Sequence, residues 1–191
     1  MTPDPMTTAA TREALARFTR KLVDDHDEWD SPHTFATLYP DGGGVRVGTW
    51  ATLDVPPGDY PARILAIVAG EVAKTLAGGG AELPCAFALR IEAHCVEAPP
   101  DDADPLHHEL LDADRAARAL HTRPDADEVC DAWLVDVDEN VWHATKKRRG
   151  EPGTVEEHHW PAGSVDSPGG TMLKALVACS RGMRTVRRLA C

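Results

Sequence analysis

Residues 128–149 read EVCDAWLVDVDENVWHATKKRR, and this stretch decides the fold. Apolar and polar residues alternate on both sides of Glu139-Asn140, which is the pattern of two half-buried strands joined by a tight turn. Residues 154–160, TVEEHHW, follow the turn RRGEPG and predict a third strand. We therefore expect an antiparallel run of three strands in the C-terminal half of the chain.

The N-terminal half adds three more strands. Residues 85–97, CAFALRIEAHCVE, alternate strongly and predict a strand with one face on the core. Residues 31–55 predict a hairpin around the turn DGGG at 41–44. Apolar residues at helical spacing predict a helix from Thr8 to about residue 24, a second after Asp59, and a last one over residues 171–189.

The element order is therefore α-β-β-α-β-(α)-β-β-β-α. Such a chain forms an α+β domain, here with a mostly antiparallel sheet of about five or six strands and helices packed on it. We expect a single domain over residues 1–191, in which 1–6 form a loose tail and 97–127 form an acidic, Pro-rich insertion with the bracketed helix. With that insertion set aside, the order resembles that of the roadblock/longin class of small adaptor domains.

Composition bounds the function classes. The chain has 191 residues and a formal charge of −11, which argues against wholesale binding to nucleic acid or to anionic membranes. The first residues lack the apolar region of a signal peptide, and we expect a cytoplasmic protein with reduced cysteines. The chain has no Gln, one Asn, 28 Ala and three times as many Arg as Lys, which is typical of a high-GC bacterial genome.

Charge is unevenly distributed along the chain. Residues 97–139 hold 14 acids and 3 bases, whereas residues 140–191 hold 4 acids and 9 bases. We expect a basic contact surface for an acidic partner, or for the acidic block of a second copy. The alternative is that these cations only aid solubility and complement the dipole of the last helix. The residues concerned are Lys146, Lys147, Arg148, Arg149, Arg181, Arg184, Arg187 and Arg188.

One group of polar residues has the composition of a metal or acid–base site. If Glu139-Asn140 is a two-residue turn, Asp136 lies opposite His143 on the neighbouring strand. If the next turn is centred on residues 151 and 152, residues of the third strand join the same face. That face then carries Asp136, His143, Thr145, Lys147, Glu156 and His158.

Two histidines and two carboxylates are ligand types that divalent metals accept, and an Asp–His pair can serve as a general base. Asp136, His143, Glu156 and His158 are therefore the candidate metal ligands. The alternative is that they are ordinary cross-strand pairs on the solvent side of a half-exposed sheet.

Three hypotheses follow. The first is a non-catalytic accessory or adaptor protein that acts through protein contacts and self-association, with no cofactor. The second is a metal-dependent hydrolase that uses the four candidate ligands and a divalent metal. The third is association with nucleic acid through the basic C-terminal block.

Overall fold

The computed structural model describes residues 7–56, 59–77, 82–96, 120–149, 154–164 and 171–190. The strands are β1 (Thr34–Asp41), β2 (Gly44–Thr52), β3 (Ala86–Cys95), β4 (Asp127–Asp136), β5 (Val141–Lys147) and β6 (Glu156–Trp160). The helices are α1 (Ala9–Asp24), α2 (Tyr60–Ala77) and α3 (Thr171–Ala190), and a single 3-10 turn, Leu120–Thr122, precedes β4.

The six strands form one antiparallel sheet in the order β2-β1-β3-β4-β5-β6. Its longest pairing joins β3 to β4, from Ala86↔Asp136 to Cys95↔Asp127, at the centre of the sheet. The predicted α+β class and the element order are confirmed for the part of the chain that the structure describes. The predicted helix in the insertion lies outside the described residues, as do 97–119 and the tail 1–6.

Both faces of the sheet carry a hydrophobic core. On one face, Phe35, Phe87 and Val135 pack with Ile64 of α2 and Leu176 of α3. On the other face, small side chains of the central strands pack under α1. These are Ala86, Ala88, Ala132 and Ala144, with Leu15 and Leu22 from the helix. The strand predicted over 85–97 is therefore buried on two faces in its first half, and the expectation of a single core face was wrong.

The first helix begins and ends as its sequence predicts. Thr8 is the N-cap, and its hydroxyl accepts a hydrogen bond of 3.1 Å from the backbone N–H of Thr11. This bond satisfies one of the free N–H groups of the first turn. At the other end, Lys146 from β5 donates to the carbonyl oxygens of Asp24 and His26. A cation there complements the negative end of the helix dipole and offsets the acids that follow the helix.

The register of the C-terminal strands differs from the prediction. Val135 pairs with Val141, so that residues 136–140 form a five-residue loop instead of a two-residue turn. In this register Trp133, and not Asp136, lies opposite His143. Between β5 and β6 the shift is two residues, because Thr145 instead of Lys147 lies opposite Glu156. A register shift by an odd number of residues moves the side chains of a strand to the opposite face of the sheet, and a shift by an even number leaves them on the same face.

The β1–β2 hairpin contains an irregularity that needs a glycine. The pairing slips between Ala36 and Leu38, and the hydroxyl of Thr37 accepts a hydrogen bond of 2.9 Å from the backbone N–H of Thr49. Tyr39, which is only 6% exposed, lies directly over Gly48. A Cβ atom at Gly48 would lie 2.7 Å from Cδ2 of the Tyr39 ring and closer still to Cε2.

We expect Gly48→Ala to lower the free energy of unfolding by about 2 kcal/mol, because the buried ring of Tyr39 has to move to admit the new methyl group. The matched substitution is Gly70→Ala in α2, where a Cβ atom meets nothing within 4 Å. It should raise the free energy of unfolding by about 0.5–1 kcal/mol through helix propensity. Urea unfolding of both variants provides the measurement, and equal effects of the two substitutions would contradict this packing.

Candidate functional site

Three of the four predicted metal ligands share one face of the sheet, and the fourth does not. His143 lies opposite His158, and Glu156 lies opposite Thr145 on the same face. Asp136 is the last residue of β4, is 0% exposed, and lies opposite Ala86 of β3. The prediction that Asp136 faces His143 was wrong, because the longer loop changes the register by an odd number of residues.

The carboxylate of Asp136 instead organises the loop 136–140. Oδ1 accepts hydrogen bonds of 2.9 Å from the backbone N–H groups of Asp138 and Asn140, and Oδ2 accepts one of 2.8 Å from the side-chain amide of Asn140. Burial raises the pKa of the Asp136 carboxyl, while the hydrogen bonds from Asn140 and Asp138 oppose that rise. The role of Asp136 in this geometry is structural.

The loop 136–140 also receives bonds from distant parts of the chain. The hydroxyl of Ser180 in α3 donates to the backbone carbonyl of Asp136 at 2.5 Å. The backbone N–H of Thr7, next to the N-cap of α1, donates to Oδ2 of Asp138 at 2.8 Å. The backbone N–H of Ala162, after β6, donates to the side-chain oxygen of Asn140 at 3.2 Å. The loop therefore joins both helix layers to the sheet.

Asp131 occupies the place predicted for Asp136. Its Oδ1 lies 3.0 Å from Nε2 of His143, and the two side chains are 19% and 13% exposed. The indole of Trp133 stacks on the His143 ring with the centroids 3.9 Å apart, and His158 lies parallel on the other side at 6.0 Å. Trp160 adds a further ring 5.5 Å from His158. We call Asp131, Trp133, His143, His158 and Trp160 the aromatic–histidine cluster.

The sequence contains the signal for this cluster, although its assignment was missed. Asp131 has the same parity as Trp133 and Val135, so these three side chains share a face in any register. Only the length of the loop after β4 decides whether that face also holds His143. A carboxylate bonded to one ring nitrogen fixes the tautomer and the orientation of the imidazole. The cluster therefore holds His143 rigidly between two aromatic neighbours.

The aromatic–histidine cluster does not bring three metal-ligating atoms of described residues close together. Within the described residues, the one group of three metal-ligating atoms that lie within 4.8 Å of one another belongs to Asp30, Glu92 and Glu128. The carboxylates of this acidic group are already engaged. Glu92 accepts hydrogen bonds from the backbone N–H groups of Asp30 and Ser31, and Arg148 pairs with Glu128 at 2.6 Å and with Asp30 at 3.6 Å. A divalent cation would have to displace Arg148.

Most of the predicted basic surface is paired within the chain. Arg148 contacts the acidic group just described, and Lys147 lies 3.2 Å from Asp127. Arg181 and Arg184 both reach Glu139, and Arg184 also donates to the backbone carbonyl of Val137. Lys146 holds the end of α1, and Arg149 lies beside a cavity that is described below. The side chains of Arg187 and Arg188 lie outside the described residues, and the contact surface itself stays a prediction.

Cys85, Cys130 and Cys179 are buried in the cores, and two of these thiols have a shifted pKa. Cys130 lies under α1 and Cys179 lies in α3, with 0% and 2% exposure. Burial raises the pKa of both thiols to about 12, because a buried thiolate loses its hydration. Both therefore stay protonated near neutral pH and serve as packing groups.

Comparisons with protein families, with curated proteins and with solved structures found no match to this chain. Of the described helices, none combines the length and the apolar character that crossing a membrane requires.

We expect Asp136→Ala to lower the free energy of unfolding by about 3 kcal/mol, because two backbone N–H groups and one amide lose their acceptor in a buried loop. Asp54→Ala, at an exposed carboxylate, is the control and should stay within about 0.5 kcal/mol of the parent. Urea unfolding of both variants measures the difference. A loss for Asp136→Ala as small as that of the control would contradict the structural role.

We expect the protein to lose stability below about pH 6.5. Burial lowers the pKa values of His26 and His33 below the usual value of about 6.5 for a histidine, with a further lowering by the positive charge of Arg90 and an opposing effect of Glu92. A histidine with a lowered pKa is neutral in the folded state and takes up a proton more readily when unfolded. The free energy of unfolding should therefore fall as pH drops from 6.5 towards the lowered values.

Urea unfolding at a series of pH values tests this expectation. His26→Gln and His33→Gln should each reduce the slope below pH 6.5, because each removes one histidine whose pKa is lowered by burial. A parent protein with equal stability at pH 7.5 and pH 5, or variants that keep the full slope, would contradict the assignment.

Proposed function

We propose that this protein acts as a non-catalytic accessory protein through contacts with other polypeptide chains, and that it self-associates through the outer edge of β2. The observation that carries the proposal is the exposure of this strand. Val47 is 40% exposed and Trp50 is 48% exposed, and both belong to β2. Large apolar side chains on a sheet edge are a frequent sign of an interaction site.

The two exposed side chains lie on the same face of the sheet. Val47 pairs with Leu38 and Trp50 pairs with Ala36, and Leu38 and Ala36 both face α1. Residues three apart normally point to opposite faces of a strand, but the bulge between Val47 and Trp50 puts both on the same face. Together they form an apolar strip along an edge whose outward backbone groups have no partner strand among the described residues.

The two edges of the sheet differ in their protection against strand pairing. β6 reads EEHHW, and Glu156 and Glu157 place two carboxylates on that edge, of which Glu157 also lies 3.6 Å from Arg20 of α1. β2 reads GVRVGTWAT and has one charge, Arg46. The Arg46 guanidinium lies over the ring of Tyr39 and pairs with Glu82, so it points back to its own chain. Natural edge strands use charges against pairing, and β2 lacks this protection.

A second copy of the chain fits this edge by symmetry. In an antiparallel pair of two β2 strands about a two-fold axis, Val47 of one copy lies opposite Trp50 of the other, and the same contact occurs twice. The two side chains share a face, so each indole would cover a valine across the new strand pair. The contact places no like charges against each other, although each chain carries a net charge of −11.

The other two hypotheses have less support. The metal-dependent alternative relied on Asp136, which is bonded within its own loop. Nucleic-acid binding relied on free cations in the C-terminal block, whereas Lys147, Arg148, Arg181 and Arg184 are in intramolecular ion pairs.

We expect Trp50→Glu to weaken self-association at least tenfold, because it puts a carboxylate into an apolar contact that occurs twice in the dimer. Leu65→Glu is the matched control, since Leu65 is 44% exposed but lies on α2. Size-exclusion chromatography with light scattering over a concentration series measures the dissociation constant. Raised salt should strengthen the parent dimer by screening the net charge of the two copies.

A parent protein that stays monomeric at the highest soluble concentration and at raised salt would contradict self-association. A dimer that is weakened equally by Leu65→Glu would contradict the assignment to β2. Circular dichroism of each variant checks that the fold is kept.

A further inference from the structure

A cavity of about 680 Å³ opens at the end of the sheet that lies away from the loop 136–140. His94, near the end of β3, contributes one wall. His121 and Arg123 come from the turn before β4, and Arg148 and Arg149 follow β5. The rings of His94 and His121 meet edge to face, with their centroids 6.0 Å apart. Three separate chain segments therefore bring basic side chains to one concave surface.

The lining of this cavity is cationic in a chain that is acidic as a whole. Among the described residues that line it, three carry a guanidinium group and one, Glu128, carries a carboxylate. Two of the guanidinium groups are fixed in place. Arg123 donates two hydrogen bonds of 2.8 Å to Asp125, and Arg148 donates one of 2.6 Å to Glu128. Their positions are set before any ligand arrives, which lowers the entropy cost of binding.

Arg149 is the lining cation whose charge is not neutralised by a described carboxylate. Its side chain is exposed, and it makes no ion pair with any residue in the described part of the chain. A guanidinium presents several N–H donors in a plane and matches the geometry of a carboxylate. The two histidines are exposed and add ring nitrogens to the lining.

We propose that this cavity binds an acidic segment of a partner protein, with Arg149 as the main contact for its carboxylates. The net positive lining selects an anionic ligand, and the repulsion from the overall charge of −11 makes the cavity the favoured place for it. A volume of about 680 Å³ falls within the range of ~300–1,000 Å³ that is usual for ligand sites.

The proposal is independent of self-association through β2. The cavity lies at the ends of β3, β4 and β5, and β2 is the outermost strand on the far side of β1. A monomeric protein that binds an acidic peptide would keep this inference and remove the β2 contact. A dimer that does not bind the peptide would keep the β2 contact and remove this inference.

The test is fluorescence anisotropy of a labelled oligoglutamate peptide titrated with the full chain at low ionic strength. We expect saturable binding that weakens as salt is added. Arg149→Glu should weaken it about tenfold or more, and Arg149→Lys should weaken it less, because the positive charge is retained while the planar set of donors is lost. His121→Glu, in the lining of the same cavity, should also weaken binding.

Arg63→Glu is the matched control, because it changes the net charge equally at an exposed position of α2. It should leave the affinity within about twofold of the parent. An equal loss in Arg63→Glu and Arg149→Glu would overturn the site in favour of diffuse electrostatics. Absence of saturable peptide binding would overturn the proposal. A labelled glycine–serine peptide controls for the dye.

Discussion

The carboxylate of Asp136 is the group on which the arrangement of this protein depends most. It closes a five-residue loop by accepting two backbone hydrogen bonds and one from Asn140. That loop sets the register of β5 on β4 and so decides which side chains meet across the sheet. It also receives Ser180 from α3 and Thr7 at the start of α1, so the helices on both faces are positioned from one point.

The elements of this fold follow from local patterns, whereas the register does not. Alternation in 85–97 and 128–149 predicts the central strands, and apolar residues at helical spacing predict α1 from Thr8 onwards. Alternation on both sides of Glu139-Asn140 suggests a two-residue turn between β4 and β5. This pattern does not reveal that the carboxylate of Asp136, at the end of β4, accepts hydrogen bonds from the backbone of a longer loop. Such competition between a side chain and the strand ladder is decided by geometry in three dimensions.

The same limit applies to the candidate site. Asp131 and His143 are twelve positions apart, and their contact depends on a loop of five residues instead of two. Counting charges along the chain correctly locates a basic block, but it cannot show that Glu92, Glu128 and Glu139 lie within reach of it. Lys146 and Arg148 hold the segment after α1 on the sheet, and this structural use leaves Arg149 as the more available cation.

The unequal edges of the sheet have a consequence for the size of any assembly. If two copies join through β2, the enlarged sheet ends on both sides in β6, which carries Glu156 and Glu157. Those carboxylates would repel a further copy, so growth stops after one step. A sheet with one edge open to strand pairing and one edge protected by charge can form a dimer that does not extend into a fibre. Neither edge alone gives this property.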